Sequence, residues 1–278
     1  MILDIQFKNY RSFKDKCSFS MEASSTETKA NNVFVAPVSE NDEERLLKIA
    51  IIYGANASGK TNIIRMLYAL RSMISNMTAN QGGEGIYLYE PFVLDEDSKN
   101  EPTEISISFI VNNIKHLYEL TYNGEEFLSE KLTYFPKGVA AILFERVPVE
   151  NDSIIKVYEP KYFTSIPKSK VQKFAVFSNK LILSKFLYDI PFDLITPAAK
   201  YLANIHIANG YHSRMINQLW DEFRDWLAED EKRRNKLMEL LAFADLGIKA
   251  FKIDVKETSL QKVLLTHERY HGDQRIED

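Results

Sequence analysis

A chain of 278 residues, 27% charged and 45% hydrophobic, has ordinary globular composition and length for one large or two smaller cored domains. Its formal charge of −4 and pI near 5.9 exclude a globally basic nucleic-acid binder, so DNA contact would need a local patch. One cysteine, Cys17, excludes an intrachain disulfide and a cysteine-based zinc site, and no apolar run is long enough for a membrane span.

The first residues, Met1 to Asp4, lack the basic and apolar regions of a secretory leader, which with the lone cysteine predicts a cytoplasmic setting. Leu3–Phe7 and Cys17–Met21 both alternate apolar and polar residues around the turn-like Asn9–Lys16, a β-hairpin pattern. Residues 23–44 are polar and read as surface loop. The short apolar run Ile49–Tyr53 reads as a buried strand, and Asn62–Ile74 carries helical spacing at Ile63, Ile64, Leu67, Leu70 and Ile74.

After a break at Asn76–Gly85, three strands are expected at Glu104–Val111, His116–Tyr122 and Phe127–Phe135. Asn112-Asn113 and Asn123-Gly124 join them as hairpin turns, the second a favoured type I′ dipeptide. Short strands near Ala141–Arg146 and Ile154–Tyr158 extend what reads as an antiparallel sheet inserted after a nucleotide-binding unit. From Ser169 the pattern turns helical, clearest over Ser213–Ala244, where Met215, Leu219, Trp220, Phe223, Trp226 and Leu227 line one face. Gly247 is placed to end that run, and Ala250–Lys256 and Leu260–Thr266 return to strand. The small basic cluster Lys168, Lys170, Lys173 lacks interleaved aromatics and reads as a solvated loop. His267 and His271 have no third ligand nearby and read as surface residues.

Between the expected strand and helix lies Gly54-Ala55-Asn56-Ala57-Ser58-Gly59-Lys60-Thr61, which fits the phosphate-loop pattern G-x-x-x-x-G-K-[ST] at every required position. Such a loop turns its backbone N–H groups inward around an anion, and Gly54 and Gly59 permit the conformations and close approach this needs. The helix that begins near Asn62 presents unpaired amides and its positive end to the phosphates. Lys60 is expected on the β and γ phosphates of ATP and the Thr61 hydroxyl on Mg²⁺. Asn56 could orient a γ-phosphate or a water, or simply shape the loop. Asn179-Lys180-Leu181-Ile182 lacks the aspartate of the guanine-reading pattern, which disfavours a GTPase.

The segment Phe7-Lys8-Asn9-Tyr10-Arg11-Ser12-Phe13, placed ahead of this P-loop, resembles the ABC-type ATPases of the RecF, SMC and OLD group. The likeness is strongest to AAA-type ATPases of bacterial abortive-infection and phage-defence loci, with weaker echoes at Glu90-Pro91-Phe92, Glu101-Pro102-Thr103-Glu104, Ser129-Glu130 and Ala244-Asp245-Leu246-Gly247. The resemblance implies an α/β fold: an ABC-type ATPase N-terminal lobe with an antiparallel sheet and a helical subdomain. It divides the chain into a nucleotide-binding lobe (1–168), a helical subdomain (169–248) and return strands (249–278). It also implies that Arg11 and Ser12 contact phosphate or base; the alternative is that they only shape a hairpin turn.

Members of that group continue into a signature loop, a Walker B strand ending in Asp-Glu and a switch histidine, none of which follows here before Asp278. A truncated or split polypeptide is therefore expected, with turnover needing the other half. Phe92-Val93-Leu94-Asp95-Glu96 superficially matches Walker B, but Pro91 cannot donate to a central ladder and 95–100 reads as a solvated turn. The resemblance implies an ATP-dependent homodimer or higher oligomer that switches an effector, a nuclease or toxin, in phage defence. A RecF-like DNA-repair ATPase and a non-hydrolytic ATP-bound scaffold are the alternatives.

Overall fold

The computed structural model describes residues 1–25, 30–56, 58–76, 84–149, 152–157, 172–207, 222–243, 248–254, 262–271 and 274–277. They form two compact units, Met1–Ile207 and Ala208–Asp278.

The first unit is built on an eight-stranded sheet in the order β10-β9-β8-β7-β6-β5-β1-β2. Its strands are β1 (Ile2–Lys8), β2 (Cys17–Ser20), β5 (Thr103–Val111), β6 (Ile114–Tyr122), β7 (Phe127–Tyr134), β8 (Ala141–Val149), β9 (Asp152–Val157) and β10 (Gln172–Val176). Every pairing is antiparallel. The expected alternation is realised: Ile105, Ile107 and Phe109 of β5, Tyr118, Leu120 and Tyr122 of β6, and Leu132 and Tyr134 of β7 are buried. Register sets them side by side, with Tyr118 opposite both Ile107 and Leu132.

That apolar face packs with three helices, α1 (Lys60–Asn76), α2 (Ile182–Tyr188) and α3 (Thr196–Ala203). α1 contributes Met66, Leu70, Met73 and Ile74, α2 contributes Ile182, Leu183 and Phe186, and α3 contributes Ala198, Ala199 and Leu202. Each large apolar side chain fully buried in this way contributes roughly 1.5–3 kcal/mol. A smaller cluster joins Leu3 and Ile110 to Ala36, Val38 and Leu46.

A buried ion pair ties sheet to helix. The Glu130 carboxylate accepts from Tyr118 Oη (3.0 Å), Arg146 Nη2 (3.1 Å) and the backbone N–H groups of Ile182 (2.8 Å) and Leu183 (3.0 Å). No side chain of its own caps α2. Glu130 therefore supplies from β7 the acceptor that the first turn needs, with a negative charge at the positive helix end.

Four readings are corrected. First, β1 lies between β5 and β2, so the antiparallel strands form one sheet with the N-terminal hairpin and not a separate insertion. Second, the polar stretch 23–44 holds β3 (Val33–Pro37) and leads into β4 (Glu43–Leu47), a hairpin whose first strand is a short, wholly apolar run set between polar flanks. Third, 172–176 is strand β10, added to the open edge of β9, not helix. Fourth, Asn123-Gly124 is not a type I′ turn. Among the described residues only Gly59 and Gly138 are glycines with positive φ, and Asn123 Oδ1 instead accepts the N–H groups of Glu125 and Glu126, both at 2.8 Å. Asn112 and Asn113, by contrast, both take positive φ (51° and 61°), as a type I′ turn requires.

In the second unit, helical residues 222–228 (α4) precede α5 (Glu231–Phe243), which lies against a three-stranded antiparallel sheet of β11 (Ile248–Asp254), β12 (Lys262–His271) and β13 (Gln274–Glu277). His267 and His271 fall on strand β12. Leu227 is buried, while Phe223 and Trp226 are partly exposed and stack at 6.0 Å, with the Arg233 guanidinium 4.8 Å from the Trp226 ring centre. Met215, Leu219, Trp220, Gly247, Lys168 and Lys170 lie outside the described residues.

Candidate nucleotide site

Helix α1 starts at Lys60, so Lys60 and Thr61 open its first turn, as the phosphate-loop pattern demands. That turn carries no acidic side chain to neutralise the helix end, and Thr61 is exposed. Asn62 N–H closes onto the Gly59 carbonyl at 2.8 Å. Gly54, Ala55, Asn56 and Ser58 are exposed, and Ala57 lies outside the described residues. The Lys60 ammonium donates to the carbonyls of Gly54 (2.6 Å) and Ala55 (2.5 Å), bridging the loop from its far end.

The two glycines are not equivalent. Gly59 has φ +89°, a conformation that side-chain-bearing residues rarely adopt, and a Cβ there would come within 2.7 Å of Ser12 Oγ and 2.8 Å of Phe13 Cζ. Gly54 has no positive φ, and its nearest contact would be the Ser58 hydroxyl at 3.1 Å. Only the second glycine of the motif needs left-handed backbone here.

The expected strand at Ile49–Tyr53 does not form. These residues join no ladder, and Ile49, Ile51 and Tyr53 are 76%, 82% and 90% exposed. After β4 ends, Lys48 N–H bonds to the Asn32 carbonyl and the chain leaves the sheet. An apolar run becomes a buried strand only where neighbours offer it partners on both sides, and no described residue does so.

The Asn-Tyr-Arg-Ser-Phe segment lies against the P-loop. Tyr10 and Phe13 bond to each other through both backbone N–H groups at 2.9 Å, leaving Arg11 and Ser12 as a two-residue turn. Ser12 Oγ accepts from Asn62 Nδ2 at 2.9 Å. Phe7 packs edge-on against both Phe13 and Tyr10, fixing the turn to the sheet.

Asn9 is buried with φ 52° and organises the other side. Its Nδ2 donates to the carbonyls of Ser98 (2.8 Å) and Glu101 (2.7 Å), and its Oδ1 accepts from Phe92 N–H at 2.9 Å. Arg11 is paired in two places with Glu90: Nε donates to Oε2 at 2.8 Å and Nη2 to Oε1. This hydrogen bonding by Glu90 holds the guanidinium pKa above its usual value. The Tyr10 hydroxyl, bonded to the same carboxylate, is pushed upward chiefly by burial. Glu90 is the residue that sequence reasoning left without a role; its distance along the chain from Arg11 hides the pairing.

Asp95 and Glu96 are taken up elsewhere. Asp95 accepts from Ser98 Oγ (2.6 Å), Ser98 N–H (3.1 Å) and Lys14 Nζ (2.9 Å), and these bonds, the Ser98 hydroxyl first, hold its carboxyl at about 2. Glu96 pairs with Lys99 at 2.6 Å. The pair forms a turn cap, not the end of a strand.

Residues 49–187, half of the chain, match the family described as "AAA domain, putative AbiEii toxin, Type IV TA system". The chain belongs to this family. It is thus a P-loop ATPase module of the AAA/ABC type, from a family linked by its description to abortive infection and toxin–antitoxin systems. No curated protein matches the chain. The matched stretch includes the P-loop and Glu90 but not the Arg11–Ser12 turn that packs on them. No described helix is long and apolar enough to cross a membrane.

Proposed function

We propose that this chain is the ATP-binding module of an ABC-type ATPase of the RecF, SMC and OLD group, whose ATP-dependent dimerisation switches a toxin or nuclease effector in phage defence. The observation that supports this most is the Gly59–Thr61 corner: a left-handed glycine, a lysine and a hydroxyl at the exposed first turn of α1. The backbone from Gly54 to Asn62 would cradle the phosphates, with Lys60 exchanging its two loop carbonyls for phosphate oxygens. Thr61 would hold Mg²⁺, which when bound neutralises charge on the β and γ phosphates. Ser12, already bonded to Asn62, extends this polar surface.

A second reading, an ATP-bound scaffold without turnover, draws support from Asp95 and Glu96. Asp95 is held by Lys14 and Ser98, Glu96 pairs with Lys99, and both lie in a turn, not at the end of a strand where a metal-holding carboxylate would be expected.

Isothermal calorimetry with Mg-ATP tests the reading. Lys60→Ala should lose about 1.5–3 kcal/mol of binding, the worth of a hydrogen bond to a charged group. Equal affinity in both proteins rejects the site. Light scattering with and without ATP then tests dimerisation, and phosphate release separates the ATPase from the scaffold.

A further inference from the structure

Arg11 sits in the first central position of the Tyr10–Phe13 turn with φ 51°, a conformation glycine takes freely and arginine resists. Glu90 holds it there from three directions. Its carbonyl accepts Arg11 N–H at 2.8 Å, its Oε2 accepts Arg11 Nε–H at 2.8 Å, and its Oε1 accepts from Nη2. The same Oε2 accepts from the Tyr10 hydroxyl at 3.3 Å. The Glu90 segment is itself tied back to the turn, because Phe92 N–H donates to Asn9 Oδ1 at 2.9 Å. On the opposite side of the turn, Ser12 and Phe13 fill the space beside Gly59, and Ser12 bonds Asn62.

We infer that Glu90 is a positioning residue for the phosphate site: by clamping Arg11 in a left-handed turn it fixes Ser12 and Phe13 against Gly59 and Asn62. The inference rests on the ATP-binding reading above. It makes an unusual demand on sign. A carboxylate near a polyphosphate site repels the ligand, so neutralising it should tighten binding if charge alone matters. If Glu90 acts by holding the turn, neutralising it weakens binding.

The test is a titration of the full 278-residue chain with a fluorescent ATP analogue and Mg²⁺. The proteins are wild type, Lys60→Ala, Glu90→Gln, Glu90→Ala, Arg11→Gly and the Glu90→Ala/Arg11→Gly double variant, with a thermal melt of each. Arg11→Gly is chosen because glycine keeps the turn without the clamp. Both Glu90 variants should bind about tenfold more weakly, the size of one charge-assisted contact. The double variant should bind no more weakly than Arg11→Gly alone, since the clamp on the turn acts through Arg11. Their melting points should stay near wild type, because the pair is partly exposed. Wild-type or tighter binding by Glu90→Gln, or additive losses in the double variant, overturns the inference while leaving ATP binding standing. Absent wild-type binding, or an unaffected Lys60→Ala, overturns both, and shows itself in proteins that keep Glu90.

Discussion

Ser12 Oγ stands so close to Gly59 that a methyl group there would approach it to 2.7 Å. The second P-loop glycine thus meets two demands at once, a left-handed φ of +89° and an N-terminal turn pressed against it. Gly59→Ala should lower stability by about 1–2 kcal/mol for the backbone alone and reduce ATP binding more than tenfold by pushing the turn away. Gly54→Ala meets only the rotatable Ser58 hydroxyl and should be milder on both counts. Urea melts and ATP titrations of the two variants give the comparison; equal behaviour would remove the distinction between the glycines.

Asp95 offers a test of the Walker B decoy. Asp95→Asn should leave ATP affinity and any phosphate release within twofold of wild type, since the carboxylate serves Ser98 and Lys14. Its depressed pKa makes a second mark. Stability from Asp95 is present above the unfolded value of 3.8 and lost as pH falls through about 2, so the variant's stability should change less with pH below 4. A collapse of turnover in Asp95→Asn would restore it as a catalytic candidate.

The Glu130–Arg146 pair, with both side chains at 0% exposure, should be costly to break from one side. Glu130→Ala leaves a buried guanidinium and uncaps α2, and should cost about 3–5 kcal/mol in urea denaturation. Arg146 Nε and Nη1 already lack partners among the described residues. An apolar double replacement, Glu130→Leu with Arg146→Met, should therefore recover a large part of that loss. A double variant as unstable as Glu130→Ala would show that the carboxylate matters chiefly as the cap of α2.

His116 contributes a pH dependence between pH 6.5 and 4. It is 5% exposed, stacks on Phe109 at 5.4 Å, and burial pulls its pKa down from 6.5 to about 4. The unfolded chain binds the proton first, so stability from the neutral imidazole is complete above pH 6.5 and falls away as pH drops toward 4. The loss should approach about 2–3 kcal/mol. His116→Phe, which keeps an aromatic ring against Phe109, should flatten chemical-denaturation stability between pH 6.5 and 4; an unchanged slope would assign that window to other groups.

How much of this was legible depends on how local the cause is. The strands β5, β6 and β7 announce themselves because period-two alternation and the Asn112–Asn113 turn are properties of adjacent residues. Lys60, Thr61 and the helix after them are local in the same sense. The Ile49–Tyr53 run shows the limit: its composition fits a buried strand, but burial depends on partners that composition does not contain. Strand β10 escapes the pattern because it is completed by the edge of β9, and the β3–β4 hairpin because its apolar strand Val33–Pro37 is short and sits within a polar stretch. At the site, the Asn-Tyr-Arg-Ser-Phe turn was visible, while Glu90, Asn9's buried amide and the Gly59–Phe13 approach depend on contacts far apart in the chain.

Ladder order also sets a timetable for synthesis. β1 pairs with β5 through Ile2 opposite Phe109, so the first strand leaves the ribosome long before its inner partner exists. Until then Leu3, Ile5 and Phe7 can pair only with β2, an unstable two-stranded ribbon. The P-loop and α1 are translated inside that interval, between two halves of a sheet that has yet to close. Nascent chains arrested before residue 103 should accordingly expose apolar surface to chaperones, and protection of the N-terminal hairpin from protease should appear only once β5 has emerged.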